Sequence, residues 1–241
     1  MRASLIIPTY KREARLVECI QCALAQSHPD TEIVVIDQTT DHQPATAAFI
    51  DSIRGKIVYQ TPDFADLVLA RNLGLRTATG EALIFVDDDT RFDTNFVAAH
   101  VAALSGGVDV VQGRILEPNS GVAKRPQWLR WYCKFTGSDT CDYSGPTNTL
   151  TGANFSLTRK AQQIVGFFDE NLTGSLLRDD SDYGVRCHKA GLTMRFIPEA
   201  EVFHYREPTG GVDANVVQPA RILEPSVLRN DLYFVGKHFS K

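Results

Sequence analysis

The stretch ALIFVDDD, residues 82–89, decides the fold, because an apolar run leads directly into three aspartates. A short apolar run that ends at polar residues is typical of a buried strand in a parallel sheet. Adjacent carboxylates repel one another, so the cluster is costly unless a cation lies among them. Ligands bind beyond the carboxyl ends of parallel strands, and we therefore predict an Mg²⁺ or Mn²⁺ site here. A solvated acidic turn is the alternative.

Strand and helix patterns alternate on both sides of this stretch. Predicted strands lie at 4–7, 32–36, 56–59, 82–86 and 108–111. Predicted helices lie at 16–24, 45–53, 67–77 and 96–104. This alternation predicts an α/β fold in which helices cover both faces of a parallel sheet.

The chain changes character after Arg114. Residues 115–150 are rich in Pro, Gly, Ser, Thr, Asn and aromatic residues and are predicted to form long loops, which usually serve function in a compact domain. Regular patterns then return as strands at 154–157 and 193–197 and as helices at 159–165, 181–189 and 226–235. These changes divide the chain into residues 1–115, residues 116–206 and a tail of residues 207–241.

Bulk properties exclude some classes of protein. The net charge of -4 over 241 residues argues against broad nucleic-acid binding, which needs a basic surface. The chain has no apolar run of about 18 residues and no signal-peptide pattern, so we expect a cytoplasmic protein. Its five scattered cysteines favour a reduced state.

Polar residues also follow the first two predicted strands. The segment PTYKR, residues 8–12, offers an aromatic face for a base and cations for phosphates, although a turn before a basic helix start has the same composition. Asp37 follows the second strand, where a carboxylate can accept the imino N–H of uracil or thymine. An aspartate that merely begins a loop is the alternative.

Two later segments carry candidate catalytic groups. The segment DDSD, residues 179–182, precedes a helix, and capping explains Ser181 or Asp182 but does not need every residue. One of the remaining aspartates is therefore a candidate general base. His204 follows an apolar strand and is either a metal ligand or a structural histidine.

Taken together, these segments resemble the inverting family 2 glycosyltransferases. The matching segments, in the family's order, are IIPTY (6–10), VVID (34–37), ARNLG (70–74) with ATG (78–80), FVDDD (85–89), and DDSD (179–182) after GFFDE (166–170). The resemblance spans residues 3–206. It implies a GT-A-type, Rossmann-like αβα sandwich with a mixed central sheet that is mostly parallel in the N-terminal half.

The resemblance also implies a role for each matching residue. Residues 1–115 would bind a nucleotide sugar, and residues 116–206 would bind the acceptor and supply the base, Asp180. The implied nucleotide-binding residues are Pro8, Thr9, Tyr10, Arg12, Asp37, Arg71, Asp87 and Asp88, and the implied ligands of Mn²⁺ or Mg²⁺ are Asp89 and His204. As candidate acceptor contacts we add Trp128, Trp131, Asn154 and Asp179.

The implied activity is metal-dependent, inverting transfer of one sugar from a UDP or dTDP sugar to an acceptor that is a glycan, a lipid-linked molecule or a small molecule. The chain departs from the family at Gln38 and Thr90, where a further Asp is frequent, and at Asp179, which replaces a Glu. The string QWLRW, residues 127–131, matches an element of processive synthases but precedes the base, so we expect transfer of a single sugar.

Other functions remain open on the sequence alone. Residues 124–135 interleave cations with aromatic residues, a mix that docks at a lipid interface, lines an acceptor groove or packs on the core. A non-catalytic nucleotide-sugar-binding module is one rival. A haloacid-dehalogenase-type phosphohydrolase needs Thr or Val where this chain has Arg91, and a nucleotidyltransferase needs a glycine-rich loop near the N-terminus.

Overall fold

A computed structural model describes residues 1–174, 177–207, 210–211 and 225–239. Its strands are β1 (Ala3–Thr9), β2 (Thr31–Asp37), β3 (Val58–Gln60), β4 (Ala82–Val86), β5 (Thr90–Arg91), β6 (Val110–Leu116), β7 (Trp128–Leu129), β8 (Phe135–Thr136), β9 (Gly145–Pro146), β10 (Asn154–Thr158) and β11 (Met194–His204). Its α-helices are α1 (Ala14–Leu24), α2 (Pro44–Ile53), α3 (Leu67–Thr77), α4 (Phe96–Ser105), α5 (Arg159–Val165), α6 (Asp179–Lys189) and α7 (Pro225–Phe239).

The central sheet is mixed, as predicted. Its strand order is β3-β2-β1-β4-β10-β6-β11-β5, and β9 also pairs with β11. The N-terminal strands β3, β2, β1 and β4 are parallel, whereas β10 is antiparallel to both of its neighbours, β4 and β6. The strands β7 and β8 form a separate antiparallel hairpin.

Helices cover both faces of this sheet. Successive side chains of a strand point to opposite faces, so Leu5 and Ile7 of β1 join one apolar cluster while Ile6 joins the other. The first cluster includes residues of α1, α2 and α4, and the second includes residues of α3, α5 and α6. The αβα sandwich is therefore confirmed.

Each predicted strand and helix is present within the described residues, but several ends differ. The largest difference is β11, which continues to His204 although the prediction ended at 197. Its pattern is broken by Pro198, Glu199 and Glu201, and the pairing with β6 shifts register between Ile197 and Glu201. That irregularity hid the second half of the strand, which is the half that positions His204.

The described helices include none that is both long and apolar enough to cross a membrane.

Candidate active site

The ends of β1 and β4 bring two predicted polar residues together. The two strands are parallel neighbours, so the residues that follow their pairing region leave the sheet at one edge. There the hydroxyl of Thr9 donates a hydrogen bond of 2.6 Å to Asp88 Oδ2, and both side chains are buried. Pro8 is buried within β1, and Tyr10 beyond it is half-buried.

Arg12 lies over the same acidic cluster. Its Nε is 3.4 Å from Asp88 Oδ1 and its Nη2 is 3.5 Å from Asp89 Oδ2. The turn that carries it includes Lys11 at φ 52°, a left-handed conformation that costs a non-glycine residue about 1–2 kcal/mol. The Lys11 backbone N–H donates to the hydroxyl of Thr39, which helps to hold the turn.

Asp87, Asp89 and His204 form a candidate metal site. One ligand atom from each lies within 4.8 Å of the others. The pairing of β5 with β11 sets His204 opposite Thr90, so His204 Nε2 lies 3.0 Å from Asp89 Oδ1 and 3.9 Å from Asp87 Oδ2. Carboxylate oxygens together with an imidazole nitrogen are a donor set that suits Mn²⁺ and tolerates Mg²⁺.

Two groups of this site, Asp88 and His204, have pKa values raised well above their ordinary values. Burial raises the pKa of Asp88 to about 7, although the nearby Arg12 opposes the shift. Burial alone would lower the pKa of His204, but the carboxylates of Asp89 and Glu117 outweigh it and raise that pKa to about 9. His204 is thus a cation in the metal-free protein at neutral pH. A divalent ion would take the place of its proton, because metal ligation requires the neutral imidazole.

A second acidic group begins α6 and is joined to the first by Arg71. The guanidinium of Arg71 is 2% exposed and donates from Nη1 to Asp179 Oδ2, while its Nη2 lies 3.5 Å from Asp87 Oδ1. A Cβ at Gly152 would lie 2.1 Å from Arg71 Nη2, so a larger residue there would displace the guanidinium. Arg71 therefore holds the start of α6 close to the end of β4.

Asp180, the predicted base, lies in the first turn of α6. Its Oδ2 accepts from the Gly152 backbone N–H at 2.9 Å, and its Oδ1 accepts from the Ser181 N–H at 2.5 Å. Burial, and then the charge of Asp179, raise the pKa of Asp180 to about 6 against the opposing effect of Arg71. A carboxylate whose pKa is near neutral can accept a proton and later release it to solvent, as general base catalysis requires.

The sequence matches the model of a known protein family. The model of glycosyl transferase family 2 matches residues 4–163, well over half of the chain. The chain belongs to glycosyl transferase family 2.

The curated proteins that this chain resembles have low sequence identity to it. The uncharacterized glycosyltransferase YfnE of Bacillus subtilis is 24% identical, over 87% of this chain and 66% of YfnE. The succinoglycan biosynthesis protein ExoM of Rhizobium meliloti is 27% identical, over 80% of this chain and 63% of ExoM. The chain thus spans about two thirds of the length of these relatives.

Solved structures show the GT-A fold. GalNAc-T7, solved with UDP, GalNAc and Mn²⁺, superposes with a TM-score of 0.78 and 17% identity over 97% of this chain and 48% of GalNAc-T7. Residues 1–349 of S. aureus TarS, solved with UDP-GlcNAc, superpose with a TM-score of 0.68 and 17% identity over 99% of this chain and 73% of that one. The predicted fold class of this family 2 chain is therefore confirmed.

Asp37 lies at the end of β2, where the sequence predicts it, and it is fully buried. The side chain has no exposed surface, and its Oδ1 accepts from the Thr39 backbone N–H at 2.9 Å. Its Oδ2 accepts from the hydroxyl of Tyr59 and from His42 Nε2, which is 2.7 Å away. These three contacts satisfy both carboxylate oxygens within the protein. The predicted contact of Asp37 with a base stays a prediction.

Asn154, a predicted acceptor contact, is fully buried. Its Nδ2 donates to the carbonyls of Arg114 and Ala200, and its Oδ1 lies 3.0 Å from His100 Nε2. The Asn154 amide therefore links β10 to α4, β6 and β11 through its hydrogen bonds. Asp179, also a predicted acceptor contact, is 1% exposed and pairs with Arg71. The contacts of Asn154 and Asp179 with an acceptor stay predictions.

The two tryptophans differ in exposure. Trp128 of β7 is half-buried, with its ring centroid 5.9 Å from that of His188. Trp131 is 84% exposed at the tip of the β7–β8 hairpin and is free to contact a partner. Both remain predicted acceptor contacts.

Glu117 is a further site residue that sequence patterns missed. Its Oε1 lies 3.8 Å from the buried His204 Nδ1 and also accepts from Arg206. The interaction with His204 holds the pKa of Glu117 down at about 2. Glu117 directly follows β6. Its position as a polar residue at the end of a strand is the sequence feature that could have predicted it.

Proposed function

We propose that this family 2 protein is a metal-dependent, inverting glycosyltransferase that moves one sugar from a UDP or dTDP sugar to an acceptor hydroxyl. The observation that carries the proposal is the Arg71 bridge. It holds the start of α6, with Asp180, against the end of β4, with the candidate metal ligands. A base and a cation on opposite sides of one cleft are what this reaction needs.

The residues present fit a divalent ion, which Asp87, Asp89 and His204 would hold. When bound, that ion supplies charge stabilisation for the departing diphosphate. Asp180 takes the proton of the acceptor hydroxyl as its oxygen forms a bond to the anomeric carbon. The bond from that carbon to the diphosphate breaks on the opposite side, so the configuration inverts. Arg12 and Arg71 place positive charge beside the acidic residues that face the donor.

The comparisons support a UDP sugar as donor, because one structural neighbour was solved with UDP and GalNAc and another with UDP-GlcNAc. The name of ExoM supports an acceptor in polysaccharide synthesis. Glycolipid or other lipid-linked acceptors and small molecules belong to the same proposal, since the described site does not distinguish among acceptor hydroxyls.

A thermal-shift screen tests the donor. UDP, dTDP, GDP and their sugars are each added with and without Mn²⁺, and release of the diphosphate is measured in parallel. A ligand at 100 times its Kd stabilises the fold by about 2.7 kcal/mol, so the correct base raises Tm, and only with metal. If none of these nucleotides raises Tm, the proposal is wrong. A rise in Tm without any release of the diphosphate, whichever acceptor is supplied, identifies a non-catalytic binding module instead.

We also propose that residues 124–135 contact an anionic membrane surface from the cytoplasmic side. Residues 118–138 contain no Asp or Glu but four cations, in a chain of net charge -4. At the hairpin tip Trp131 is 84% exposed and Tyr132 is 54% exposed. Exposed aromatic rings next to cations favour the interface of anionic bilayers.

Vesicle flotation tests the membrane contact. The protein is mixed with vesicles of phosphatidylglycerol and phosphatidylcholine or of phosphatidylcholine alone. We expect binding to the anionic vesicles and its loss in Trp131→Ser. The matched control is Ile164→Ser, which removes an apolar side chain that is 55% exposed on α5. Equal binding of both variants contradicts the proposal.

A further inference from the structure

The last described helix, α7, packs against the start of α6 rather than lying apart from the site. Phe234 of α7 is fully buried and packs with Leu129 of the β7–β8 hairpin and Val185 of α6. Asn230, also fully buried, donates from Nδ2 to the carbonyl of Leu172 at 3.0 Å and to that of Leu177 at 3.4 Å. The amide thus holds both sides of the segment that leads into α6.

The residue before α6 depends on α7. Arg178 has φ 81°, a left-handed conformation that a non-glycine side chain disfavours, and it makes no side-chain cap for the helix. Its Nε lies 2.5 Å from Asp231 Oδ1 of α7. Its guanidinium also lies 5.2 Å from the ring centroid of Phe234 and 5.5 Å from that of Phe135. These contacts stabilise a backbone conformation that the local sequence does not favour.

The residue after Asp180 and Ser181 depends on α7 as well. Asp182 is fully buried, and its Oδ1 lies 2.7 Å from both Lys237 Nζ and His238 Nε2. Its Oδ2 pairs with Arg186 of α6 itself. A buried carboxylate requires such partners, because an unpaired charge is strongly disfavoured away from water. Two of the three partners of Asp182 come from α7.

His238 of α7 contacts α6 through both of its ring nitrogens. Lys189 Nζ lies 3.3 Å from His238 Nδ1, so Nδ1 accepts while the Nε2–H donates to Asp182. The side chain is 3% exposed, which makes this contact one between buried groups. A glutamine amide offers an N–H in nearly the same place, whereas leucine fills the space without a donor.

These contacts hold both flanks of Asp179–Asp180, and within the described part of the chain α7 contacts those flanks and not Asp180 itself. We propose that α7 is a positioning element for the base, in which His238 and Asp231 fix the first turn of α6 so that Asp180 meets the acceptor hydroxyl in a reactive geometry. The inference rests on the proposed role of Asp180. His238 and Asp231 are positioning residues, because they act through Asp182 and Arg178.

The test compares His238→Leu with His238→Gln in the full chain, using release of UDP from UDP-GlcNAc, or from whichever UDP sugar the screen selects. A displacement of about 1 Å costs about 100-fold in rate, so we expect kcat to fall about 10- to 100-fold in His238→Leu with KM for the donor unchanged. His238→Gln is expected to recover most of kcat. Tyr233→Phe is the matched control, because it removes a 2.8 Å hydrogen bond from α7 to Asp169 without touching α6.

Several results overturn the inference. It fails if His238→Leu lowers kcat no more than Tyr233→Phe, if Leu and Gln at position 238 are equivalent, or if the loss appears in KM for the donor. Should His238→Leu not fold, Asp231→Ala and Asp231→Glu form the same comparison at Arg178. Asp180→Asn separates the two ideas: if it retains full UDP release, the proposed function itself is wrong.

Discussion

Two acidic clusters face one another across the site, and they are neutralised in different ways. The β4 cluster is Asp87, Asp88 and Asp89, which leave the end of a strand. The α6 cluster is Asp179, Asp180 and Asp182, which lie in the first turn of a helix. Carboxylates are stabilised at a helix N-terminus by the helix dipole, whereas the end of a strand offers no comparable field.

The cations around the two clusters also differ. The α6 cluster has Arg71, Arg186, Lys237 and His238 within ion-pair distance. The β4 cluster has Arg12 and Arg71, whose nitrogens lie 3.4–3.5 Å from its carboxylates, and a His204 that carries positive charge only when it is protonated. Among the described residues, the only group that could hold a metal belongs to the β4 cluster. In the α6 cluster the protein supplies most of the balancing charge itself, whereas the β4 cluster has fewer cations, which supports the proposal that it holds a divalent ion.

The largest effect is expected from Asp180→Asn. The amide cannot accept the proton of the acceptor hydroxyl, and general base help is worth about 10²–10⁴-fold in rate. We expect kcat to fall by that factor, while UDP and Mn²⁺ bind as in the wild type when measured by titration calorimetry. Loss of nucleotide binding together with rate would instead show that Asp180 is structural and would break the distinction between the clusters.

The link between the clusters is tested by Arg71→Met. Removing one partner of a buried ion pair leaves the other unpaired, at a cost of about 3–5 kcal/mol, and Asp179 is 1% exposed. We expect that loss in the free energy of unfolding measured in urea, with partial recovery in Arg71→Met/Asp179→Leu. The control is Arg54→Met, which breaks the exposed Arg54–Asp51 pair and should cost under about 1 kcal/mol. Equal costs would mean that Arg71 does not join the clusters.

The metal requirement of the β4 cluster is tested by Asp89→Asn. The wild type with UDP and Mn²⁺ at 100 times their Kd is expected to gain about 2.7 kcal/mol of stability. Asp89→Asn removes a candidate ligand, so most of that gain should disappear in a thermal melt. Asp93→Asn is the control, since Asp93 is exposed and lies outside the candidate metal site. If Asp89→Asn keeps the full Mn²⁺-dependent gain, the ion is held elsewhere.

The β4 cluster was predictable from sequence and the environment of the α6 cluster was not. Residues 82–89 combine a strand pattern with its polar end, and parallel pairing brings such ends together without further information. Arg71 was assigned to the nucleotide through the family resemblance, whereas its closest partner is Asp179, 108 positions away in the chain. No local pattern encodes that distance.

The surroundings of Asp37 and Asn154 could not be predicted from the sequence either. Asp37 and Asn154 lie at strand positions that sequence patterns locate correctly, but their partners come from other elements. Residue type and position predict that a polar group stands at an edge of the sheet. They do not predict whether the protein itself already satisfies its hydrogen bonds, which decides whether a ligand can.

The smallest effect is expected from pH, and it sharpens the comparison because only the α6 cluster carries the base. The pKa of Asp180 is raised to about 6 by burial and by Asp179, so the active, ionised form is lost below that pH. We expect the logarithm of kcat/KM to rise by about one for each pH unit up to about 6 and then to level off. Residual activity of Asp180→Asn should lack this limb. A profile that is flat between pH 5 and pH 7 would contradict the assignment.

The same shift predicts the opposite trend for stability. A carboxyl whose pKa is raised in the folded state binds its proton more tightly there than in the unfolded chain. Its contribution to stability is therefore fully present below the unfolded pKa of 3.8 and is lost as the pH rises through about 6. Asp180→Asn carries no such charge, so urea melts should show it gaining stability relative to the wild type between pH 4 and pH 7. A variant that is inactive yet more stable at neutral pH is the signature of a carboxylate kept in an unfavourable place for its chemistry.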